Sequence, residues 1–313
     1  MSDLPVPFRR LTIATVVASL ALVAIGGAVR ATGSGLACPT WPGCFAPGDF
    51  VPPTGLNVWL EHSHRLLAGL VGLMIAAQLG WALTRFRDRP VIVRTAAAAA
   101  VLVVAQALLG AVVVLLQLRA ELVTAHLGLA MALVGVLLYL AVAATGGATW
   151  SRGAASPMAR TAAAVAGITY LQILVGGHTS GVGSGLVYAD GPALGLFAVS
   201  PIGGEAAAFN VAHRGLAVLV LVAVTVLAVR VRRSSATGWV ARLPQIAVSL
   251  VALQILTGVA NLASGLSFVT VIPHLAVASW LWAVLVLETL LAARAPSSSD
   301  AEPIRAAAVR AAA

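Results

Sequence analysis

The sequence predicts an all-α membrane protein with eight transmembrane helices arranged as two pseudo-symmetric four-helix bundles. Three observations predict it. Hydrophobic residues make up 60% of the 313 and charged residues only 9%, against about a quarter charged in an ordinary soluble domain. The apolar residues come in runs of roughly twenty, the length that crosses a hydrocarbon core about 30 Å thick. The second half of the chain also repeats landmarks of the first. The strict alternation of a lipid-facing β-strand is nowhere evident.

The spans expected in order are 11–29, 63–84, 92–117, 122–144, 159–177, 210–230, 243–262 and 271–292. The first lacks a convincing cleavage site and is followed by further spans, so it is read as a helix that stays. The net charge of +9 rests on arginine alone, since the chain has no lysine. Most arginines fall in loops on one side: Arg9 and Arg10; Arg85, Arg87, Arg89 and Arg94; Arg152 and Arg160; Arg230, Arg232, Arg233 and Arg242; and Arg294. This is the positive-inside pattern and not a nucleic-acid footprint. It predicts a multi-pass protein of the cell membrane with both termini cytoplasmic. Two long loops (about 30–62 and 178–209) and two short ones (about 118–121 and 263–270) then face outside. The long ones are rich in Gly, Pro and Ser and exceed what a simple connector needs. The tail 296–313 has the composition of a disordered cytoplasmic segment.

An internal repeat organises the chain. Gly26-Gly27 through Gly33-Ser34-Gly35-Leu36 recurs as Gly176-Gly177 through Gly183-Ser184-Gly185-Leu186, offset by 150. His64-Arg65 recurs as His213-Arg214, offset by 149. Gln106 with Gly110, and His126-Leu127, recur as Gln254 with Gly258, and His274-Leu275, offset by 148. An even number of spans per half gives both halves the same orientation, related by an axis along the membrane normal. The division expected is 1–150 and 151–295.

Four of the six histidines share one address. His64, His126, His213 and His274 are each expected to start an even-numbered helix, just inside the outer boundary. Ionisable groups within a span are costly and are functional candidates by default. Two at equal depth on neighbouring helices could present two imidazoles to one metal, as helix bundles often do. A haem iron is the natural match, because imidazole suits iron and a flat apolar macrocycle fits between helices. The plainer reading is a set of interhelical hydrogen bonds. Arg65 and Arg214 follow ligand histidines, and Arg30 and Arg119 lie on the outer side against the charge trend. Guanidinium groups pair well with haem propionates; equally, these arginines could be snorkelling anchors.

The halves differ in composition. Glu61 precedes His64 by three residues and shares its helix face, whereas Asn210 holds that position before His213. Cys38 and Cys44 also occur only in the first half, and Tyr188 replaces Cys38 in the repeat. On the oxidising side a disulfide can persist. Closing so short a loop would stabilise by about 2 kcal/mol, so a staple and a redox role both stay open. A di-iron centre is disfavoured, because the spans offer almost no further carboxylates beyond Glu288. His62 and His178 fall outside the scheme and are read as loop or interface residues.

These residues resemble the haem A synthase family. The resemblance rests on Gly27-Ala28-Val29-Arg30 through Thr32-Gly33-Ser34-Gly35-Leu36-Ala37-Cys38-Pro39, on Trp41-Pro42 and Cys44, and on Glu61-His62-Ser63-His64-Arg65 with the later histidines. It implies an oxidoreductase that converts the C8 methyl group of haem O to a formyl group, giving haem A for terminal oxidases. It further implies that His64 and His126 hold the substrate haem, that Glu61 is the catalytic carboxylate, and that Cys38 and Cys44 form the outer cysteine pair. His213 and His274 would ligate a resident haem b, with Arg30, Arg65 and Arg214 as haem-binding cations. The partners implied are haem O, an unidentified electron donor, a haem O synthase and membrane lipid, with no nucleic acid. The family's second cysteine pair, present in some members, is absent here. The alternative is a di-haem b cytochrome that only passes electrons, which leaves the one-sided Glu61 and cysteines unexplained.

Overall fold

The computed structural model describes residues 4–45, 54–146, 156–190 and 204–294; the tail lies outside them. Among the described residues the chain is all-helical and has eight helices long and apolar enough to cross a membrane. They are α1 (Val6–Ala31), α2 (Leu56–Arg85), α3 (Pro90–Leu115), α4 (Ala120–Ala144), α5 (Pro157–Gly181), α6 (Glu205–Arg232), α7 (Gly238–Ala263) and α8 (Phe268–Ala292). Short 3₁₀ turns at Ser34–Leu36 and Ser184–Leu186 follow α1 and α5.

Most helix ends run beyond the expected spans, farthest at the start of α2, at residue 56 against 63. Hydropathy marks only the stretch that suits hydrocarbon, whereas backbone hydrogen bonding continues until the chain reaches a breaker. The breakers here are Gly55 and Gly204, at φ 142° and 78°, conformations that glycine alone adopts without strain. Glu61 and His62, expected ahead of the second span, therefore lie inside α2. His64 and His213 are not helix-starting residues either, but sit about two turns into α2 and α6.

α1 packs on α2 and α4, and α3 on both of these, so the first four helices close into a ring; α5 to α8 do the same. α1, α4, α5 and α8 also pack across the junction between the two sets. More than half of the α4 span is shielded by protein (56%) but only 17% of the α7 span, which leaves α2, α3, α6 and α7 to face lipid. The junction core includes Val16, Leu20, Met131, Leu137, Ile173 and Trp282. Glycine permits its closest approaches. A Cβ at Gly135 would come within 2.9 Å of the Trp282 ring, and the Tyr170 hydroxyl donates to the Gly128 carbonyl at 3.0 Å.

Two tight turns join α3 to α4 and α7 to α8. Each contains a leucine in the left-handed region, Leu118 at φ 59° and Leu266 at φ 63°. That conformation costs about 1–2 kcal/mol for a residue with a Cβ. Packing accounts for it. Leu118 covers Gly35, and Leu266 covers Gly185, where a Cβ would come within 3.1 and 2.8 Å of the leucine methyls. Each strained leucine holds down the 3₁₀ turn beside it.

Candidate functional site

The four histidines all lie at the end of the molecule that carries the two 3₁₀ turns, and each rests on a glycine of the preceding helix. His64 lies over Gly26, His126 over Gly110, His213 over Gly176 and His274 over Gly258. A Cβ at those glycines would approach the imidazole Cε1 to 3.0, 3.1, 2.7 and 3.3 Å. The repeat had marked these glycines as landmarks; their role is to leave room for an imidazole against the backbone. The next residues along interlock the two sets. Leu127 fills the space over Gly177 at 3.0 Å, and Leu275 that over Gly27 at 2.8 Å.

In the second ring, α6 and α8 stand diagonally opposite, and the His213 and His274 ring centres are 6.4 Å apart at an interplanar angle of 65°. A ligating imidazole nitrogen sits about 2.0 Å from its metal and the ring centre about 1 Å farther, so two imidazoles flanking one iron have centres about 6 Å apart. The spacing and the donor set fit a haem iron. Three side chains fix these rings. Gln172 Nε2 lies 3.1 Å from His213 Nδ1, Gln254 Nε2 lies 3.1 Å from His274 Nε2, and Thr257 Oγ1 lies 3.1 Å from His274 Nδ1. Ligation through either nitrogen of His274 displaces one of its two partners. Partners on the non-ligating nitrogen are what orient metal-bound histidines.

In the first ring, His64 and His126 lie within electrostatic range of each other, on diagonal helices α2 and α4. Their surroundings are less polar. Nδ1 of His126 is buried without a hydrogen-bond partner among the described residues, and the His64 ring faces the Leu22 carbonyl of α1. Gln106 donates to the backbone carbonyl of His126 at 3.0 Å, not to its ring. Sequence reasoning missed Gln172 because the repeat places Leu22 opposite it; a polar residue facing an apolar counterpart was the available signal.

Glu61 is 3% exposed and both its oxygens are engaged. Oε2 accepts the Cys38 N–H at 2.8 Å and Oε1 accepts Arg65 Nη2 at 2.5 Å. Arg65 also donates to the carbonyls of Cys38 (2.9 Å), Thr40 (2.5 Å) and Gly43 (2.7 Å). Expected as a propionate partner, Arg65 here spends its donors on the loop closed by the Cys38–Cys44 disulfide. At the equivalent positions Asn210 Nδ2 donates to the Ser184 and Gly185 carbonyls at 2.7 and 3.3 Å, and Arg214 lies over the Tyr188 ring at 5.1 Å. Arg30 donates to the Ser180 carbonyl at 3.2 Å, across the junction of the two sets.

Comparisons with known proteins identify the family. A family model, COX15-CtaA, cytochrome oxidase assembly protein, matches residues 9–56 and 54–286. The chain belongs to that family. Among relatives of this cytochrome oxidase assembly family, a heme A synthase of Geobacillus kaustophilus is 35% identical over 122 residues, 39% of this chain and 38% of its own. One of Alkalihalophilus pseudofirmus is 33% identical over 136 residues, 42% and 45% of the two chains. One of Parvibaculum lavamentivorans is 30% identical over 157 residues, 46% and 45%. The chain thus matches less than half the length of these relatives.

Of the two further histidines, one departs from expectation. His62 is not a loop residue but a buried one within α2, 4% exposed. His178 lies near the end of α5, at the contact with α6, 3.4 Å from Glu205 and with its ring tilted against that of Phe209 at 4.2 Å between centres. It also lines an open groove of about 600 Å³ between α4 and α5, with Glu121, Thr124 and Tyr170. None of the four paired histidines lines that groove.

Proposed function

We propose that the chain is a haem A synthase, an oxidoreductase of the cell membrane that converts the C8 methyl group of haem O to a formyl group. The observation that supports this reading most is the inequality of two otherwise matched imidazole pairs. One has a buried carboxylate one helical turn away, under a cross-linked loop; the other has an amide.

In this reading residues 1–150 and 151–295 are two pseudo-symmetric bundles with both termini cytoplasmic, and the 3₁₀ turns face outward. His64 and His126 hold haem O as substrate by its iron. Glu61 accepts the proton as a methyl C–H bond breaks, and the electrons of that bond would pass to an oxidant, of the class of dioxygen or an external electron acceptor. An ionised carboxylate has about four lone-pair sites, and the Cys38 N–H and Arg65 occupy two of them, so acceptor capacity remains while the group is held in place. The apolar walls of the first pair, without side-chain hydrogen bonds to the rings, suit a haem that must enter and leave. His213 and His274, braced by Gln172 and Thr257, hold a resident haem b, which when bound supplies one-electron redox chemistry. Arg30 and Arg214 supply positive charge for the haem propionates. An electron donor and a haem O synthase complete the set of partners.

Extraction of pigments from the purified protein tests the division. His64→Ala should lose haem O and haem A while keeping haem b, and His213→Ala should lose haem b. Equal losses in the two variants, or wild-type protein carrying haem b alone when haem O is supplied, would replace the enzyme with an electron-transfer cytochrome.

A further inference from the structure

The groove that His178 lines lies where the two sets of helices meet, and nothing in the proposed reaction uses it. It holds about 600 Å³ between α4 and α5, within the range of small-molecule sites. Along α4 it runs from Glu121 to Ala132, roughly 16 Å at 1.5 Å per residue. Glu121, Thr124 and His178 gather at its outer end, and Leu129, Ala132 and Leu174 continue it inward. The two helices close on each other at that outer end, where a Cβ at Gly181 would come within 2.7 Å of Ala120.

The repeat builds the same face a second time, between α8 and α1, without these groups. Val269 stands at the position of Glu121, Ile272 at that of Thr124 and Ala28 at that of His178, and Trp280 replaces Ala132. Lipid contact accounts for the apolar version, but not for a carboxylate and an imidazole. The polar atoms of the groove are acceptors. The Thr124 hydroxyl donates to the Ala120 carbonyl at 2.7 Å and keeps its lone pairs. With its Nε2–H given to Glu205 at 3.4 Å, the His178 ring has Nδ1 as an acceptor. A phosphate headgroup would meet the Glu121 carboxylate, whereas a hydroxyl donor is matched. His178 also reaches beyond the groove. Its ring centre lies 4.2 Å from that of Phe209, which is about one turn of α6 before His213.

We propose that this groove binds a lipid-soluble quinol, its hydroxyls at Glu121 and His178 and its isoprenoid chain along Leu129 and Ala132, as the electron donor to haem b. This role rests on the reading in which His213 and His274 hold haem b. Both O–H bonds of the quinol break as it becomes the quinone. One proton goes to the Glu121 carboxylate and the other to the His178 imidazole. Both pass on to outer water, to which the side chains of Glu121 and Glu205 are 64% and 70% exposed. The two electrons leave one at a time past Phe209, each taking the haem b iron from ferric to ferrous. Between them the iron is reoxidised by the oxidant of the reaction.

The test uses the whole purified protein with haem b, in detergent and without air, mixed with a naphthoquinol bearing two isoprene units. Reduction of haem b is followed in its visible spectrum. His178→Asn and Glu121→Gln should each slow it by at least about 10-fold. Ala132→Trp gives the groove the residue of its counterpart and should raise the quinol concentration for half-maximal rate by at least about 10-fold. Dithionite, which needs no site, should reduce the wild type and all three variants alike. The corresponding quinone should stay with the wild type through gel filtration and be lost from Ala132→Trp. Haem b that dithionite reduces and the quinol does not overturns the proposal and leaves the haem assignment standing. Protein without haem b removes the assignment beneath it and the proposal with it. Reduction of Ala132→Trp at the wild-type rate, or loss of phospholipid in place of quinone from that variant, gives the groove to lipid and overturns the proposal.

Discussion

At one address of the repeat the first set of helices carries Glu61 and the second carries Asn210, and both tie an even-numbered helix to the 3₁₀ loop before it. The carboxylate does so by accepting a backbone N–H and an arginine; the amide does so by donating to two carbonyls. Around them the polarity is exchanged. The first histidine pair has the charged neighbour and rings without side-chain hydrogen bonds, and the second has a neutral neighbour and rings braced by Gln172, Gln254 and Thr257. Structural anchoring of the loop alone explains why both sets have a polar side chain there. It does not explain why one is a carboxylate, and that residue of explanation is what points to chemistry in the first set.

The sharpest way to break the comparison is to exchange these two functions. Glu61→Gln keeps the size of the side chain and, through its carbonyl oxygen, the bond from the Cys38 N–H, but it gives up the ion pair with Arg65 and removes the proton acceptor. General acid–base groups contribute about 10²–10⁴-fold, so turnover of haem O should fall by at least about 100-fold while haem b content stays unchanged. Asn210→Ala should leave turnover within about threefold. A Glu61→Gln protein with full activity in a haem O conversion assay would reduce Glu61 to a loop anchor like its counterpart.

Much of this architecture was legible in the sequence, for identifiable reasons. Span number and order follow from apolar run length, which the bilayer sets directly. The four histidines could be grouped because a duplicated chain repeats its landmarks at a near-constant offset. The start of α2 was less legible. Polar residues such as Glu61 and His62 leave the apolar run before the helix ends, and only Gly55 stops it. The role of Arg65 was illegible because its partners are backbone carbonyls of Cys38, Thr40 and Gly43, which carry no residue identity. The same holds for His62, whose place beside Cys38 and Cys44 depends on how the loop folds back over α2.

A second prediction compares all four imidazole seats at once. Alanine at Gly176 puts a Cβ 2.7 Å from the His213 ring, at Gly26 3.0 Å from His64, at Gly110 3.1 Å from His126 and at Gly258 3.3 Å from His274. Gly176→Ala forces the ring to move and should cost about tenfold or more in haem b retention, while Gly258→Ala needs only a few tenths of an ångström and should cost little. Gly26→Ala and Gly110→Ala should instead impair haem O binding and spare haem b. A haem assay showing all four variants alike would separate the glycines from the ligation scheme.

The disulfide offers a smaller effect, confined to one side. Replacing Cys38 and Cys44 together by serine removes a cross-link across a sequence separation of 6, worth about 2 kcal/mol on the chain-entropy model. Because Arg65 and Glu61 still hold the loop, the loss should show as a lowered thermal midpoint in detergent without loss of haem b. Loss of haem b in this double variant would mean that the two sets of helices are coupled through the loop itself.

The smallest difference concerns the two strained leucines. Glycine at either position relieves about 1–2 kcal/mol of left-handed strain but removes the side chain that covers Gly35 or Gly185. Leu266 is 37% exposed, so Leu266→Gly gives up little burial; that loss and the roughly 0.4–1 kcal/mol of unfolded-chain entropy that glycine adds offset the relieved strain, and the thermal midpoint should stay nearly unchanged. Leu118 is the better buried of the two, and it lies over the loop that carries Cys38 and is tied to Glu61. Leu118→Gly should therefore be the more destabilising, by about 1 kcal/mol on the scale of a partly buried leucine, and should also lower haem O turnover. The reverse ranking would indicate that covering the first loop contributes nothing beyond what Arg65 already provides.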